Sequence, residues 1–532
     1  MPETEAAATS GATADTTTHA HATSALPPRP AFALALILTC QMMLILDATV
    51  VNIALPDIGE ELDFSPAGLS WVLNAYTLAF GGLMLIGGRL GDLIGRRRAL
   101  TVGVLIFTVA SLLGGLVDQA SLLLVARTAQ GVGGALAAPS SLALITTTFA
   151  AGPERNRALG MFTGVAAAGS AVGMILGGVL TEVGSWRWTL FINVPVGLAV
   201  LVLAPLAIRE TARVRGARFD VGGALTGTSG VTALVYAFIR AADHGWGEAE
   251  VTWAFVAAAV LLGTFLAVES RARQPVVPLD LFAVRNRALA FAGMLLVPAA
   301  MFGVFYFDTQ YFQLVRDYGP LRTGLAFLPL AVGIFASSML APRALARYGL
   351  RRTAGGGLVF AAAGILLQSM LSTDSGYWTA LFGPLLINGL GLGFVFMPLS
   401  VLILTSVTPD RAGAASGLMQ TMQQVGGALG LSALVTVYGA AVRAADLPGP
   451  EGMVEGYSTG LLAGAGFLAL TLILLLAAKP AAAPPAAAPQ EAAKPDAAKP
   501  EATRPEAAKS DAAPQTAARS DAAPQAASPV EG

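Results

Sequence analysis

The chain has 532 residues, 55% of them hydrophobic and only 12% charged, about half the charged fraction of an ordinary soluble domain, so a soluble globular enzyme is excluded. Its 32 Lys+Arg against 33 Asp+Glu leave a formal charge of −1, which points to no nucleic-acid partner and no acidic cation buffer. One cysteine, Cys40, lies in an apolar run, so an internal disulfide and any cysteine-based metal or redox motif are ruled out.

Residues 1–30 form a Thr/Ala/Pro-rich arm without the basic segment and short apolar core of a cleaved signal, so the first apolar segment is expected to stay in the mature chain. A bilayer core of about 30 Å needs roughly 20 apolar residues per helix. Fourteen such stretches follow, at 31–55, 70–90, 99–117, 121–147, 157–180, 187–208, 221–240, 251–269, 288–314, 321–342, 354–372, 377–406, 412–440 and 458–478. Several contain Gly and Pro, which membrane helices tolerate. The fold class is therefore an all-α integral membrane protein. Residues 479–532 are Ala/Pro-rich with Lys alternating with Asp and Glu, a composition that cannot bury a core and reads as a disordered tail.

Arginine placement sets the orientation. Alternate loops carry Arg96, Arg97 and Arg98, then Arg155 and Arg157, then Arg209 to Arg218, Arg271 to Arg287, Arg343 to Arg352 and Arg411, whereas the intervening loops gather acids such as Asp57, Glu60, Glu61 and Glu250. The arginine-rich loops, and with them both termini, are expected in the cytoplasm of a cell whose plasma membrane the chain crosses many times.

The chain also repeats itself. Gly88-Arg89-Leu90-Gly91-Asp92-Leu93-Ile94-Gly95-Arg96-Arg97-Arg98 follows the second span, and Arg343-Ala344-Leu345-Ala346-Arg347-Tyr348-Gly349-Leu350-Arg351-Arg352 follows the tenth. Two pseudo-symmetric six-helix halves, 31–208 and 288–478, are then separated by two extra spans within 209–287, a 6+2+6 arrangement whose parallel repeats are one architecture of secondary transporters.

Ionisable residues inside a span are costly and mark pathways. Asp47 in the first span and Arg127 in the fourth lie at compatible depths for an ion pair, poised either to pass a proton or to act as a static strut. Asp308, in Phe305-Tyr306-Phe307-Asp308, stands among aromatics in the outer half of the ninth span as a second candidate for proton coupling. Gln41, Asn74, Tyr76, Gln130, Tyr306, Gln313, Asn388, Gln420, Gln423 and Gln424 are polar candidates for a substrate cavity or for bonds between helices. Gly169, Gly173 and Gly177 recur every four residues and, with Gly178, make a smooth face for close helix packing. The body has no lysine, so it holds no Walker-type phosphate loop, and His19, His21 and His244 are too dispersed for a metal site. No metal and no cofactor are expected.

These residues resemble the major facilitator superfamily, and within it the fourteen-span drug:proton antiporter branch. Gly88 to Arg97 matches the loop motif of the superfamily, Arg127-x-x-Gln130-Gly131 its fourth-helix motif, and Leu46-Asp47-x-Thr49-Val50-Val51-Asn52 and Trp186-Arg187-Trp188 to Asn193-Val194-Pro195 look like that branch. The resemblance spans about residues 31–478. It implies multidrug efflux driven by a proton gradient, with the bilayer, protons and a hydrophobic small molecule as partners and no obligate protein partner, the alternatives being a metabolite transporter on the same fold or a membrane scaffold. It further implies proton coupling by Arg127 and conformational gating by Gly88, Asp92, Gly95, Arg96 and Arg97, with Asp92 bracing a helix near Gly413. The branch's antiporter motif carries Gly-Pro where this chain has Gly173-Met174, while Gly177-Gly178 are kept.

Overall fold

The computed structural model describes residues 30–478 apart from 66, 151, 211–219, 273–274, 276, 408–410 and 448. The N-terminal arm and the tail fall outside the described residues, as do the side chains of Asp92 and Gly413.

Long apolar stretches become helices because a bilayer offers no hydrogen bonds to the backbone, so each span must satisfy its own amides and carbonyls. The first group is α1 (Pro30–Ile53), α2 (Trp71–Ile94), α3 (Arg96–Leu116), α4 (Ala120–Thr148), α5 (Pro153–Val183) and α6 (Asn193–Ala207). Two further helices follow, α7 (Val221–His244) and α8 (Ala249–Arg271). The last group is α9 (Arg285–Gln310), α10 (Leu328–Gln368), α11 (Phe382–Leu404), α12 (Ala412–Ala445) and α13 (Pro450–Ala477). Among the described residues, twelve stretches are long and apolar enough to cross a membrane. The 31-residue α5 covers the fifth expected stretch. Helix α10 is two helices meeting at Gly349, so each of the fourteen expected stretches is occupied by helix.

Gly349 has φ 76° and Gly95, between α2 and α3, has φ 102°. Both values lie in the region that only glycine enters without strain, so the repeated arginine motif is a repeated glycine corner. A second pair of corners accompanies it. Asp63 and Asp317 both have φ 52°, and in each half the aspartate precedes the glycine by the same interval, 63 to 95 and 317 to 349.

Within the first group α1 packs on α4, α5 and α6, α2 and α3 pack on α4, and α3 packs on α6. Within the last group α9 packs on α12, α13 and α11, and α10 on α11 and α13. The two bundles meet where α2 lies on α12, where α5 lies on Pro320–Ala326 and α10, and where α1 touches α9. Helix α7 lies against both α2 and α12, outside their seam, and α8 packs on α7. Trp253, Val256, Val260 and Leu266 of α8 are exposed, as expected for a helix facing lipid.

Among the described residues, two contacts tie arginine-rich loops to their neighbours at one end. The Glu210 carboxylate accepts from the Arg97 amide at 3.1 Å, and Arg411 pairs with Asp280. At the opposite end Arg187 pairs with Glu61 and, at 2.6 Å, with Asp118, while the Trp186 indole donates to Glu61 at 2.6 Å. The hydrogen bond from Arg187 holds the Glu61 carboxyl below its usual range. A carboxyl depressed by folding stabilises the fold above its unfolded pKa, and that stabilisation is lost as pH falls through the folded value. Lowering the pH from 6 to below 4 is therefore expected to reduce the melting temperature of the parent by more than that of Glu61→Gln. Equal reductions in thermal unfolding would show that this pair adds nothing to stability.

Candidate functional site

Asp47 is brought to the middle of the first bundle by α1 and is fully buried. Its Oδ2 accepts from Arg127 Nη1 at 2.7 Å, and its Oδ1 accepts from Gln130 Nε2 and from Asn193 Nδ2, both at 2.8 Å. Donors from α4 and α6 thus meet on the α1 carboxylate, and α3 joins the cluster through Ser111, which accepts from Gln130 at 2.7 Å. Arg127 is anchored further by donation from Nε to the Val72 carbonyl at 3.0 Å, and its guanidinium carbon lies 4.6 Å from the centre of the Tyr76 ring. Its Nη2 is buried without a partner. A buried charge pair survives in a span only when its remaining hydrogen-bonding groups are satisfied; here one donor is left over, on the residue that faces the cavity next to it.

That cavity has a volume of about 1190 Å³ and lies between the bundles. Arg127, Tyr76 and Gln41 form part of one side, Phe302, Phe305, Gln420 and Gln424 part of the other. It runs past Gly88 to Arg89, Arg96, Asp220 and Pro278, and so opens toward the arginine-rich end. Arg96 donates to the Gly88 carbonyl at 3.0 Å across the glycine corner.

The opposite end is closed by direct contact between the bundles. Asn52 of α1 donates to the Phe305 carbonyl at 3.1 Å and to Thr309 Oγ1 at 3.0 Å on α9, and Gln313 donates to the Ile53 carbonyl at 2.8 Å. On α2, Asn74 donates to Ser432 of α12 at 3.0 Å. On α5, a Cβ at Gly178 would come within 2.6 Å of the Pro320 carbonyl oxygen, and one at Gly324 within 2.4 Å of the Met174 carbonyl oxygen. The other glycines of α5 face α1: a Cβ at Gly169 would meet Ile45 and Met42, one at Gly173 would meet Thr49, and one at Gly177 would meet the Val50 backbone. The glycine stripe is thus the α1–α5 seam, while Gly178 belongs to the closure. Met174, which stands where the resembling motif has proline, leaves α5 unbroken.

The polar candidates separate by position. Gln41, Tyr76, Gln420 and Gln424 line the cavity. Gln130 belongs to the Asp47 cluster, and Asn74 and Gln313 to the closure. Asn388 is buried and donates to the Ala361 carbonyl at 3.1 Å, joining α11 to α10. Gln423 turns toward Met294, and Tyr306 is buried beside Phe307. Asp308 is also buried and does not reach the central cavity; it faces α10 and α13. Asn52, Ser111, Asn193 and Thr309 carry the cluster and the closure without having been singled out as polar candidates. Asn52 and Asn193 stand inside quoted motifs, and their amides within apolar segments were the available signal.

Residues 37–431 match the family model described as Major Facilitator Superfamily. The chain is 42% identical over 457 residues to a puromycin resistance protein of Streptomyces alboniger, covering 84% of this chain and 91% of that one. It is 40% identical over 414 residues to a cephamycin export protein of Amycolatopsis lactamdurans, covering 76% and 85%. Among solved structures, a bacterial homologue of the human lysosomal transporter Spinster superposes with a TM-score of 0.61 at 16% identity, covering 85% of this chain and 97% of that one. That likeness concerns the fold.

Proposed function

Because this chain belongs to the Major Facilitator Superfamily, we propose that it exports hydrophobic or amphipathic antibiotics across the plasma membrane in exchange for protons, protecting the cell that carries it. The observation that carries the reading is the buried Asp47–Arg127 pair beside a cavity open at the arginine-rich end and shut at the other. The relatives named for puromycin resistance and cephamycin export support the direction and the class of cargo.

The arginine-rich end is the cytoplasmic one, both termini lie there, and cargo enters from that side to rest against Tyr76, Phe302, Phe305 and the glutamines. Aromatic faces and amides suit flat, partly polar molecules, with few charges to demand one geometry. A proton reaching Asp47 neutralises it and leaves Arg127 without its counter-charge. A buried cation in that position is strongly unfavourable, so protonation favours a bundle arrangement in which Arg127 finds another acceptor or water. The change of state is a population shift driven by differential proton affinity. The glycine corner formed by Gly88, Gly95, Arg96 and Arg97 holds the arginine-rich end during that shift. The proton gradient is the only energy source required, with no cofactor.

The test is proton movement in acidified inside-out membrane vesicles on adding puromycin, a cephamycin and hydrophobic dyes one at a time. Alkalinisation of the lumen that depends on compound is the expected result. Entry of compound only to equilibrium, without any proton movement, would leave a facilitator and overturn the antiport reading.

A further inference from the structure

We propose that Asp308 is a second proton-binding site, separate from Asp47, whose proton is held against Gln368 and whose charge acts on the Asn52 clasp between the bundles. Asp308 is 2% exposed and borders a chamber of about 10 Å³ between α9, the second limb of α10 and α13, room for about one water. The groups that face it are Tyr311 from its own side of the chain, Gln368 and Ser369 from α10, and Tyr457 and Ser458 from α13. None is cationic, and no ion pair forms at Asp308 among the described residues. Arg316, the next cation along the chain, donates to the Thr373 carbonyl at 2.5 Å. A carboxylate held there permanently would be a buried charge without a counter-ion, which membrane proteins avoid.

Gln368 fits both charge states. With its amide nitrogen turned inward it donates to Oδ1 at 3.1 Å and Oδ2 at 2.9 Å of the carboxylate. A half-turn of the same amide presents its oxygen, which accepts the O–H of the neutral acid. One side chain thus partners the site before and after protonation, without movement of either helix.

The position of Asp308 connects it to the closure. Thr309, the next residue, and Phe305, one turn earlier, are the two acceptors of Asn52. Asp47 lies on α1 five residues before Asn52, so the two buried acids flank one clasp from opposite bundles. Water reaches Asp308 more easily when that end opens, so the charged form favours the open end and the protonated form the closed one. Linkage makes the converse hold: closing raises proton affinity. The proton comes from water at that end, forms one O–H bond on a carboxylate oxygen, and returns to water when the end opens again; no other bond changes.

Infrared difference spectra of the full-length protein in lipid, taken across pH without any cargo, read the site directly. The parent and Asp47→Asn should share one carbonyl stretch of a buried protonated carboxyl that disappears as pH rises, and Asp308→Asn should lack that component while keeping those of the other carboxyls. Asp308→Glu should restore a titrating band, and Gln368→Leu should move the midpoint to higher pH, since its amide favours the charged form more strongly than the neutral one. A carboxyl band that stays constant at all pH values, or spectra of Asp308→Asn identical to the parent, would overturn the proposal. A second arm rests on the export reading: because this proton returns to the side it came from, the protons moved per molecule of one uncharged cargo should stay the same in Asp308→Asn, while the export rate should depend less on the pH at the clasped end. A ratio that falls in Asp308→Asn, or an export rate whose dependence on that pH is unchanged, alongside a titrating band in the parent would overturn the link to the clasp, whereas absence of all cargo-driven proton movement in the parent would count against export and leave the infrared result standing.

Discussion

Asp47→Asn is expected to reduce cargo-driven proton release by at least about a hundredfold, a loss of roughly 2.7 kcal/mol in the coupled step. The substituted amide keeps one oxygen for Gln130 and Asn193, but its nitrogen faces Arg127, donor against donor. Removing one partner of a buried pair typically costs about 3–5 kcal/mol of stability, so the single variant is expected to melt at lower temperature as well. Loss of transport and loss of fold are separated by Asp47→Asn/Arg127→Gln, which removes both charges. The double variant should regain most of the melting temperature and none of the proton release. If it regained both, the pair would be a strut and the coupling group would lie elsewhere. Full transport by Asp47→Asn itself would remove the carboxylate from the mechanism.

Gly178→Val is expected to hold the bundles apart at the closed end. A Cβ at this position would stand 2.6 Å from the Pro320 carbonyl oxygen and 2.7 Å from the Leu321 Cα. Those atoms are backbone and cannot turn aside as a side chain does, so the strain is relieved only by separating α5 from Pro320–Ala326. Export should fall at least about tenfold, which corresponds to roughly 1.4 kcal/mol against the closed arrangement. The single native cysteine, Cys40, is fully buried, so a reporter thiol in Met301→Cys, at a residue of α9 that lines the cavity, reads the cavity alone. Membrane-impermeant reagent added from outside the cell should label it faster in Gly178→Val than in the reporter with Gly178 intact. Equal labelling together with parental export would show that these glycines do not form the closure.

Much of this architecture was legible in the sequence because a bilayer imposes a one-dimensional rule. Apolar length gave fourteen spans, and charge in a span gave Asp47, Arg127 and Asp308, since depth can be counted along a helix. Rotation about the helix axis was not legible. Spans surrounded by lipid and by other helices lack a sharp polar face, so nothing distinguished Gln41, which lines the cavity, from Asn388, which bonds α10, or Gln313, which bonds α1. The same blindness hid Asn193, third donor of the Asp47 cluster, and the seat of α7 along α2 and α12. The repeat was visible through its arginines, yet its better markers are conformational. Asp63 with Gly95 and Asp317 with Gly349 share a spacing and a backbone shape, although only the glycines declare themselves in a sequence. Carried back along the chain, that register sets Met301 opposite Asp47, so the polar cluster belongs to one bundle only.

The size of the central cavity bears on kinetics. Pockets for drug-sized molecules commonly measure about 300–1,000 Å³, and this one is about 1190 Å³, with amides and aromatic rings contributed by both bundles. A compact cargo occupies part of it and leaves the remainder wet. Two unlike molecules then have room to be held together, each against its own bundle, and one slows the passage of the other without displacing it. Mixed inhibition between chemically unrelated cargoes, rather than simple competition for a single seat, is the behaviour such a chamber produces.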